Sequence, residues 1–186
     1  PEQIYLLTDT AINIDPDAAT LAEIALFGAE IAEGLFDLVP KVALLSFSNF
    51  GSVKHPSAKR VSDALEMVKR LRPDLVVDGE LQADTALSAD VAAVFPHSRI
   101  KGDANVLVFP DLQSGNIGYK LVANMGHVTT IGPILCGLAK PVNVLNHFAT
   151  VDEIVRAAAI TALQAKGAAR KTAGTRASLN GEWATR

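Results

Sequence analysis

The chain has 186 residues, of which 49% are hydrophobic and 20% charged, and a formal net charge of -3. That length suffices for one well-buried domain and part of another, and the charge argues against bulk nucleic-acid binding. No apolar run approaches the roughly 18 residues a membrane span needs, and the single cysteine, Cys136, excludes an internal disulfide framework, so without a signal-peptide pattern the expected compartment is the cytoplasm.

Short apolar runs alternate with helical patterns along most of the chain, as in a parallel sheet covered by helices on both faces. Residues 4–7, 42–46, 75–77, 105–109, 128–131 and 142–145 read as strands, each rich in Val, Ile and Leu like strands buried on both sides. Asp15-Pro16-Asp17 provides a cap, a first-turn proline and an acid ahead of Leu21, Ile24, Ala25 and Ile31, which predicts a helix over 16–33. A second helix, capped by Ser57 and ending before Pro73, would bury Val61, Leu65 and Val68 and leave Lys59, Arg60, Lys69 and Arg70 in water. A third opens at Ser114 or Gly115 and runs to about 124. Thr150 and Glu153 form the capping box of a fourth, which ends near Ala165, and residues 166–186 read as a flexible basic tail.

Ligands of open parallel sheets collect at the carboxyl ends of the strands. The loop over 46–52 reads Ser-Phe-Ser-Asn-Phe-Gly-Ser: Ser46, Ser48 and Ser52 offer hydroxyls, Asn49 an amide, and Gly51 a close backbone approach, all suited to phosphate oxygens. Ser114 and Asn116 stand at a helix start that suits an anion, and Lys120 and Lys101 could face its charge. Asp78, Glu80 and Asp84 lie in a segment expected to be a loop; their spacing fits no metal motif, and loop hydrogen bonding accounts for Asp78 and Asp84. Gly132-Pro133, Gly137 and Lys140-Pro141 imply a tight, fixed path where the chain passes between lobes. His55, His97, His127 and His147 show no zinc spacing, so no metal is expected, and Cys136 reads as a small apolar residue rather than a nucleophile.

The stretches 101–120 (Lys-Gly-Asp-Ala-Asn-Val-Leu-Val-Phe-Pro-Asp-Leu-Gln-Ser-Gly-Asn-Ile-Gly-Tyr-Lys) and 131–145 (Ile-Gly-Pro-Ile-Leu-Cys-Gly-Leu-Ala-Lys-Pro-Val-Asn-Val-Leu), together with the 46–52 loop, resemble the phosphate acetyl/butyryltransferase family. Its members move an acyl group between coenzyme A and phosphate. The resemblance implies a three-layer α/β/α sandwich with a mainly parallel sheet, isocitrate/isopropylmalate dehydrogenase-like as in phosphate acyltransferases. Family members are longer and two-lobed and Pro1 is not an initiator residue, so a piece of a longer product is expected: 1–137 as the second lobe, and 138–165 as a return segment and helix packing toward the first. The implied ligands are acetyl-CoA or a related acyl-CoA and phosphate, with no cofactor held by the chain itself. Ser46, Ser48, Asn49, Gly51, Ser52, Ser114, Asn116, Lys120, Gly132, Pro133 and Lys140 would bind them, in a homo-oligomer with no nucleic-acid or membrane partner.

The resemblance breaks at one place. The family pattern Asn-Asp-Leu-Ser-Arg-Gly, followed by an acid, becomes Asn143-Val-Leu-Asn146-His147-Phe148, then Asp152 and Glu153. Asn146, His147 and Glu153 therefore stand, degenerate, where the family's catalytic groups stand. A neutral imidazole does not replace a guanidinium on phosphate, and loss of a charged donor at such a site costs several kcal/mol of transition-state stabilisation. Ser48-Asn49-Phe50-Gly51 resembles the subgroup fused to malic enzymes. That likeness implies an acetyl-CoA-sensing regulatory and oligomerisation domain of a hybrid NADP-dependent malic enzyme, which converts malate to pyruvate and CO2. NADP and a divalent metal would then belong to an upstream domain of the same polypeptide. The alternatives are an active phosphate acetyl/butyryltransferase and a module that only dimerises.

Overall fold

The structure, a computed structural model, describes residues 3–126, 128–145 and 147–174, with side chains on the last helix followed as far as residue 167. The chain forms two compact units, Pro1–Thr130 and Ile131–Arg186. Among the described residues no helix is long and apolar enough to cross a membrane.

The first unit is built on a parallel sheet of β1 (Leu6–Thr8), β2 (Lys41–Leu45), β3 (Val76–Leu81) and β4 (Val106–Val108), in the spatial order β1-β4-β2-β3. The connections carry α1 (Ala18–Phe36), α2 (Pro56–Leu71), the short α3 (Ala83–Leu87) and α4 (Ala89–Ala92), and α5 (Leu112–Met125). Alternate strand residues serve opposite cores. Val42, Leu44, Val77, Val106 and Val108 pack with Leu21, Ala25 and Ala29 of α1 and with Val61, Leu65 and Val68 of α2. Ala43, Leu45, Leu81 and Leu107 pack with Ala86 of α3 and with Ile100 and Ala104. Each large aliphatic side chain so buried stabilises the fold by about 1.5–3 kcal/mol. Apolar cores on both faces are why the strands read as unbroken hydrophobic runs, and they give the expected α/β/α layering.

Several boundaries differ from the sequence reading, for local reasons. Strand β3 continues through Asp78, Gly79 and Glu80, the segment expected to be a loop. Asp78 is only 6% exposed and accepts from Ser98 Oγ (3.1 Å) and Arg99 N (2.8 Å), so its strand position leaves no buried carboxylate unpaired. Helix α1 starts at Ala18, where Asp17 accepts from Thr20 N at 2.8 Å. Helix α2 starts at Pro56 and is capped by His55, whose Nδ1 accepts from Ser57 N, and not by Ser57 itself. Helix α5 starts at Leu112 because Asp111 accepts from Ser114 N (2.8 Å), two residues ahead of the expected start.

The second unit holds an extended strap, described over 131–145 and 147–150, and α6 (Val151–Gly174). The runs 128–131 and 142–145, expected as strands, are not strands; their Val128, Ile131, Val142, Val144 and Leu145 are exposed, without the partner strand a short apolar run needs. Thr150 and Glu153 form the expected capping box. Helix α6 runs to Gly174, past the expected end near Ala165 and into the segment expected as a tail, through Ala, Lys and Arg positions of high helix propensity.

Candidate functional site

Because every pairing in the sheet is parallel, the carboxyl ends of all four strands share one edge, and the segments 9–15, 46–52, 80–82 and 109–116 gather there. The 46–52 loop turns sharply: Phe50 (φ 49°) and Gly51 (φ 75°) are both left-handed, a conformation glycine adopts freely. The register of β2 against β3 slips between Leu44 and Leu45, with Leu44 opposite Gly79 and Leu45 opposite Leu81. Glu80 is thus the extra residue of a β-bulge, a device that re-aims a side chain at a sheet edge.

Its carboxylate turns to the loop. Glu80 Oε1 accepts from Ser48 Oγ at 2.6 Å and from Gly51 N at 2.9 Å, while the Glu80 carbonyl accepts from Phe50 N at 3.0 Å. Gln82, just beyond β3, completes the seam: its N–H donates to Asn49 Oδ1 (2.7 Å), its Nε2 donates to the Phe47 carbonyl (2.7 Å), and its Oε1 accepts from Asn49 Nδ2 (3.0 Å). Inside the loop Ser48 Oγ lies 3.1 Å from Ser52 Oγ and accepts from Val53 N, and Ser52 Oγ accepts from Asn49 N. The Phe50 ring packs on Phe95 and His97 at centroid distances of 5.2 and 4.5 Å.

Beside the loop, at the start of α2, opens a cavity of about 560 Å³ bordered by Gly51, Val53, Lys54, His55, Lys59 and Glu80. The first amides of a helix favour an anion, and Lys54 adds positive charge; Lys59 is shared with Asp63 at 2.7 Å.

The other half of the edge is equally fixed. Asp9 accepts from Ala11 N (2.7 Å), Ile12 N (3.0 Å), Asn13 N (2.8 Å) and Asn13 Nδ2 (2.7 Å). Burial opposes ionisation of Asp9, but these backbone and amide donors outweigh it and hold the carboxyl below its ordinary pKa. Gly115 lets α5 settle on this loop, since a Cβ there would stand 2.2 Å from the Asp9 carbonyl oxygen. Asn116 Nδ2 donates to the Thr10 carbonyl at 3.1 Å, and Ser114 Oγ donates to the Asp111 carbonyl at 2.9 Å. Arg60 joins two loops from α2, pairing with Asp15 and donating from Nη2 to the Pro110 carbonyl at 3.2 Å.

Ser46, Ser48, Asn49, Gly51, Ser52, Ser114 and Asn116 thus lie on one edge of the sheet, but not all are open to a ligand. Ser48 is 0% exposed and ties the loop to Glu80. Lys120 is exposed with its Nζ 5.6 Å from the Tyr119 ring centroid. Lys101 precedes β4, at the opposite edge of the sheet, where its Nζ donates to the Pro96 carbonyl. The sequence reading missed Gln82, Asp9 and Lys54 and weighed Glu80 only as one of three loop carboxylates; the signal for Glu80 and Gln82 was the Asp-Gly-Glu-Leu-Gln run, which was read as a loop.

Gly132, Pro133, Lys140, His147 and Glu153 belong to the second unit, and Asn146 lies outside the described residues. Lys140 and His147 are exposed. Glu153 Oε2 accepts from Thr150 N (2.7 Å) and Thr150 Oγ1 (2.9 Å), and these bonds hold its carboxyl below the ordinary value, which suits a helix cap better than a proton donor.

A family model described as phosphate acetyl/butaryl transferase matches residues 1–162. The chain is 49% identical over 166 residues to a phosphate acetyltransferase of Clostridium acetobutylicum, covering 89% of this chain and 50% of the relative. It is 47% identical over 165 residues to that of Bacillus subtilis, covering 88% and 51%. A phosphotransacetylase structure from Streptococcus pyogenes superposes with a TM-score of 0.86 at 51% identity, covering 89% of this chain and 50% of that one. The EutD phosphotransacetylase from Staphylococcus aureus gives 0.85 at 39% identity, covering 89% and 51%. The chain spans about half the length of the curated relatives it matches. The malic-enzyme likeness of Ser48-Asn49-Phe50-Gly51 draws no support from these names. On the family model and the shared fold alike, the chain belongs to the phosphate acetyl/butyryltransferase family.

Proposed function

We propose that the chain forms the coenzyme-A- and phosphate-binding half of a phosphate acetyltransferase, with the ligand received at the carboxyl edge of its sheet. The observation that carries this reading is the 46–52 loop, locked to Glu80 and Gln82 beside a cavity bordered by Lys54 and the start of α2. Transfer requires a phosphate oxygen to attack the thioester carbonyl while the C–S bond breaks and the thiolate takes up a proton. A site for it must hold a multiply charged anion next to a developing oxyanion, the work of helix amides and fixed cations. Relatives that are phosphate acetyltransferases at 47–49% identity support the transferase reading over a malic-enzyme regulatory domain.

A second reading rests on His147, which stands at the family's arginine position, and on Glu153, whose carboxylate is engaged as a helix cap. Under it the domain binds acetyl-CoA and transfers the acetyl group slowly or not at all. Association into a homo-oligomer belongs to the same proposal and is read by light scattering. Calorimetric titration with acetyl-CoA, run beside an assay for acetyl phosphate, separates the readings. Binding with turnover marks a transferase, binding without turnover a sensor, and absence of binding rejects both.

A further inference from the structure

We propose that Glu80 is a positioning residue that fixes the direction of the hydroxyl protons in the 46–52 loop and so leaves Ser46 as the loop hydroxyl that donates to a bound phosphate group. The inference rests on the ligand reading above and identifies which groups of that site meet the ligand.

A serine hydroxyl has one hydrogen to give. Glu80 Oε1 is an acceptor twice over, from Gly51 N at 2.9 Å and from Ser48 Oγ at 2.6 Å, so the Ser48 hydrogen is committed to it. In the 3.1 Å contact between Ser48 Oγ and Ser52 Oγ the hydrogen must therefore come from Ser52. The oxygens are engaged too, Ser48 by Val53 N at 3.0 Å and Ser52 by Asn49 N at 3.1 Å. The amide of Asn49 donates to Gln82. Neither Ser48 nor Ser52 can then donate to an anion without breaking the relay. Ser46 differs: its Oγ accepts only a long contact from Ser48 N (3.4 Å), which leaves its hydrogen available, and it is half-buried directly after β2 at the edge where ligands gather.

Glu80 suits the positioning role because the bulge that makes it supernumerary in the sheet also delivers it to the loop, where it is 3% exposed. A glutamine there keeps an oxygen that can accept both bonds; an alanine keeps neither.

The test uses the full chain with coenzyme A and inorganic phosphate as probes, reading dissociation constants by calorimetry and exchange of the Gly51 and Val53 amides by NMR. Glu80→Ala is expected to speed exchange of both amides and to weaken coenzyme A about tenfold, because the loop that its charge-assisted bonds hold in place must then be ordered on binding. Glu80→Gln should restore most of both properties. Ser46→Ala should weaken both probes and leave the exchange as in the parent chain. Should Glu80→Ala fail to fold, Ser48→Ala breaks the Ser48–Glu80 bond and is expected to weaken coenzyme A likewise, with faster exchange at Val53, whose acceptor it removes, and less change at Gly51, which keeps its bond to Glu80. A folded Glu80→Ala or Ser48→Ala chain with parental affinity, or parental affinity in Ser46→Ala, overturns the proposal. If the parent chain binds neither probe, the ligand reading and the role of Ser46 fall together, while the exchange data still decide whether Glu80 orders the loop.

Discussion

Asn143 and Gln164 are bonded side chain to side chain, Nδ2 to Oε1 at 2.7 Å, and between them they hold the strap of the second unit against α6. Asn143 also donates to Thr161 Oγ1 (2.8 Å) and accepts from Leu135 N (2.9 Å), and Gln164 Nε2 donates to the Leu135 carbonyl (3.2 Å). Among the described residues of this unit Ile160 is the one buried hydrophobic side chain, so these polar ties stand in for a core. Asn143→Ala, which removes three of the bonds, should destabilise the unit by about 2–3 kcal/mol, and Gln164→Ala by less. Hydrogen exchange along 151–167 is the readout; protection unchanged in Asn143→Ala would mean that the strap is held by something else.

The contact between α5 and the Asp9 loop leaves no room for a methyl group. A Cβ on Gly115 would lie 2.2 Å from the Asp9 carbonyl, whereas one on Gly34, also helical, meets nothing within 4 Å. Gly115→Ala should therefore cost about 1–3 kcal/mol through overpacking, and Gly34→Ala should gain about 0.5–1 kcal/mol from helix propensity. Urea unfolding of the two variants checks the opposite signs.

Asp9 makes the first unit acid-sensitive. Its carboxyl is held below the ordinary value of 3.8, so the folded state favours the ionised form. The stabilisation is fully present above the unfolded-state pKa and is lost as pH falls through the lower folded-state value. Asp9→Asn should melt below the parent chain at neutral pH, and the gap should narrow as pH drops below about 4. A gap that is constant with pH would show that the Asp9 charge contributes nothing.

The resemblance of 143–148 to the family pattern implies that His147 stands where a guanidinium is expected. If that replacement limits transfer, His147→Arg should raise acetyl phosphate formation by roughly a hundredfold, the scale of one charged donor acting on a transition state. The gain should appear in kcat with little change in coenzyme A affinity. Equal rates in parent and variant would assign the slow step elsewhere.

The parts of the fold that follow from period and capping were readable from the chain. Asp-Pro-Asp announced a helix, although its cap is Asp17 and its first residue Ala18, and Thr150 with Glu153 closes the capping box that the spacing implied. What failed was what depends on a partner distant in sequence. Residues 142–145 look like a strand until one asks what they pair with, and Asp78 to Glu80 look like a loop until Ser98, Arg99 and Ser48 are seen to satisfy them. The candidate site divides along the same line. The 46–52 loop was visible as a cluster of serines, but that Ser48 is sealed inside and answers to Glu80, 32 residues away, is a fact of the bulge in β3.

The most direct measurement is an amide chemical-shift titration of the chain with coenzyme A. Binding at the carboxyl edge of the sheet should move the amides of Phe47, Gly51, Val53 and Lys54 together and leave those around Lys101, at the other edge, in place. Shifts confined to the Lys101 edge, or none at saturating ligand, would contradict a coenzyme A site built on the 46–52 loop.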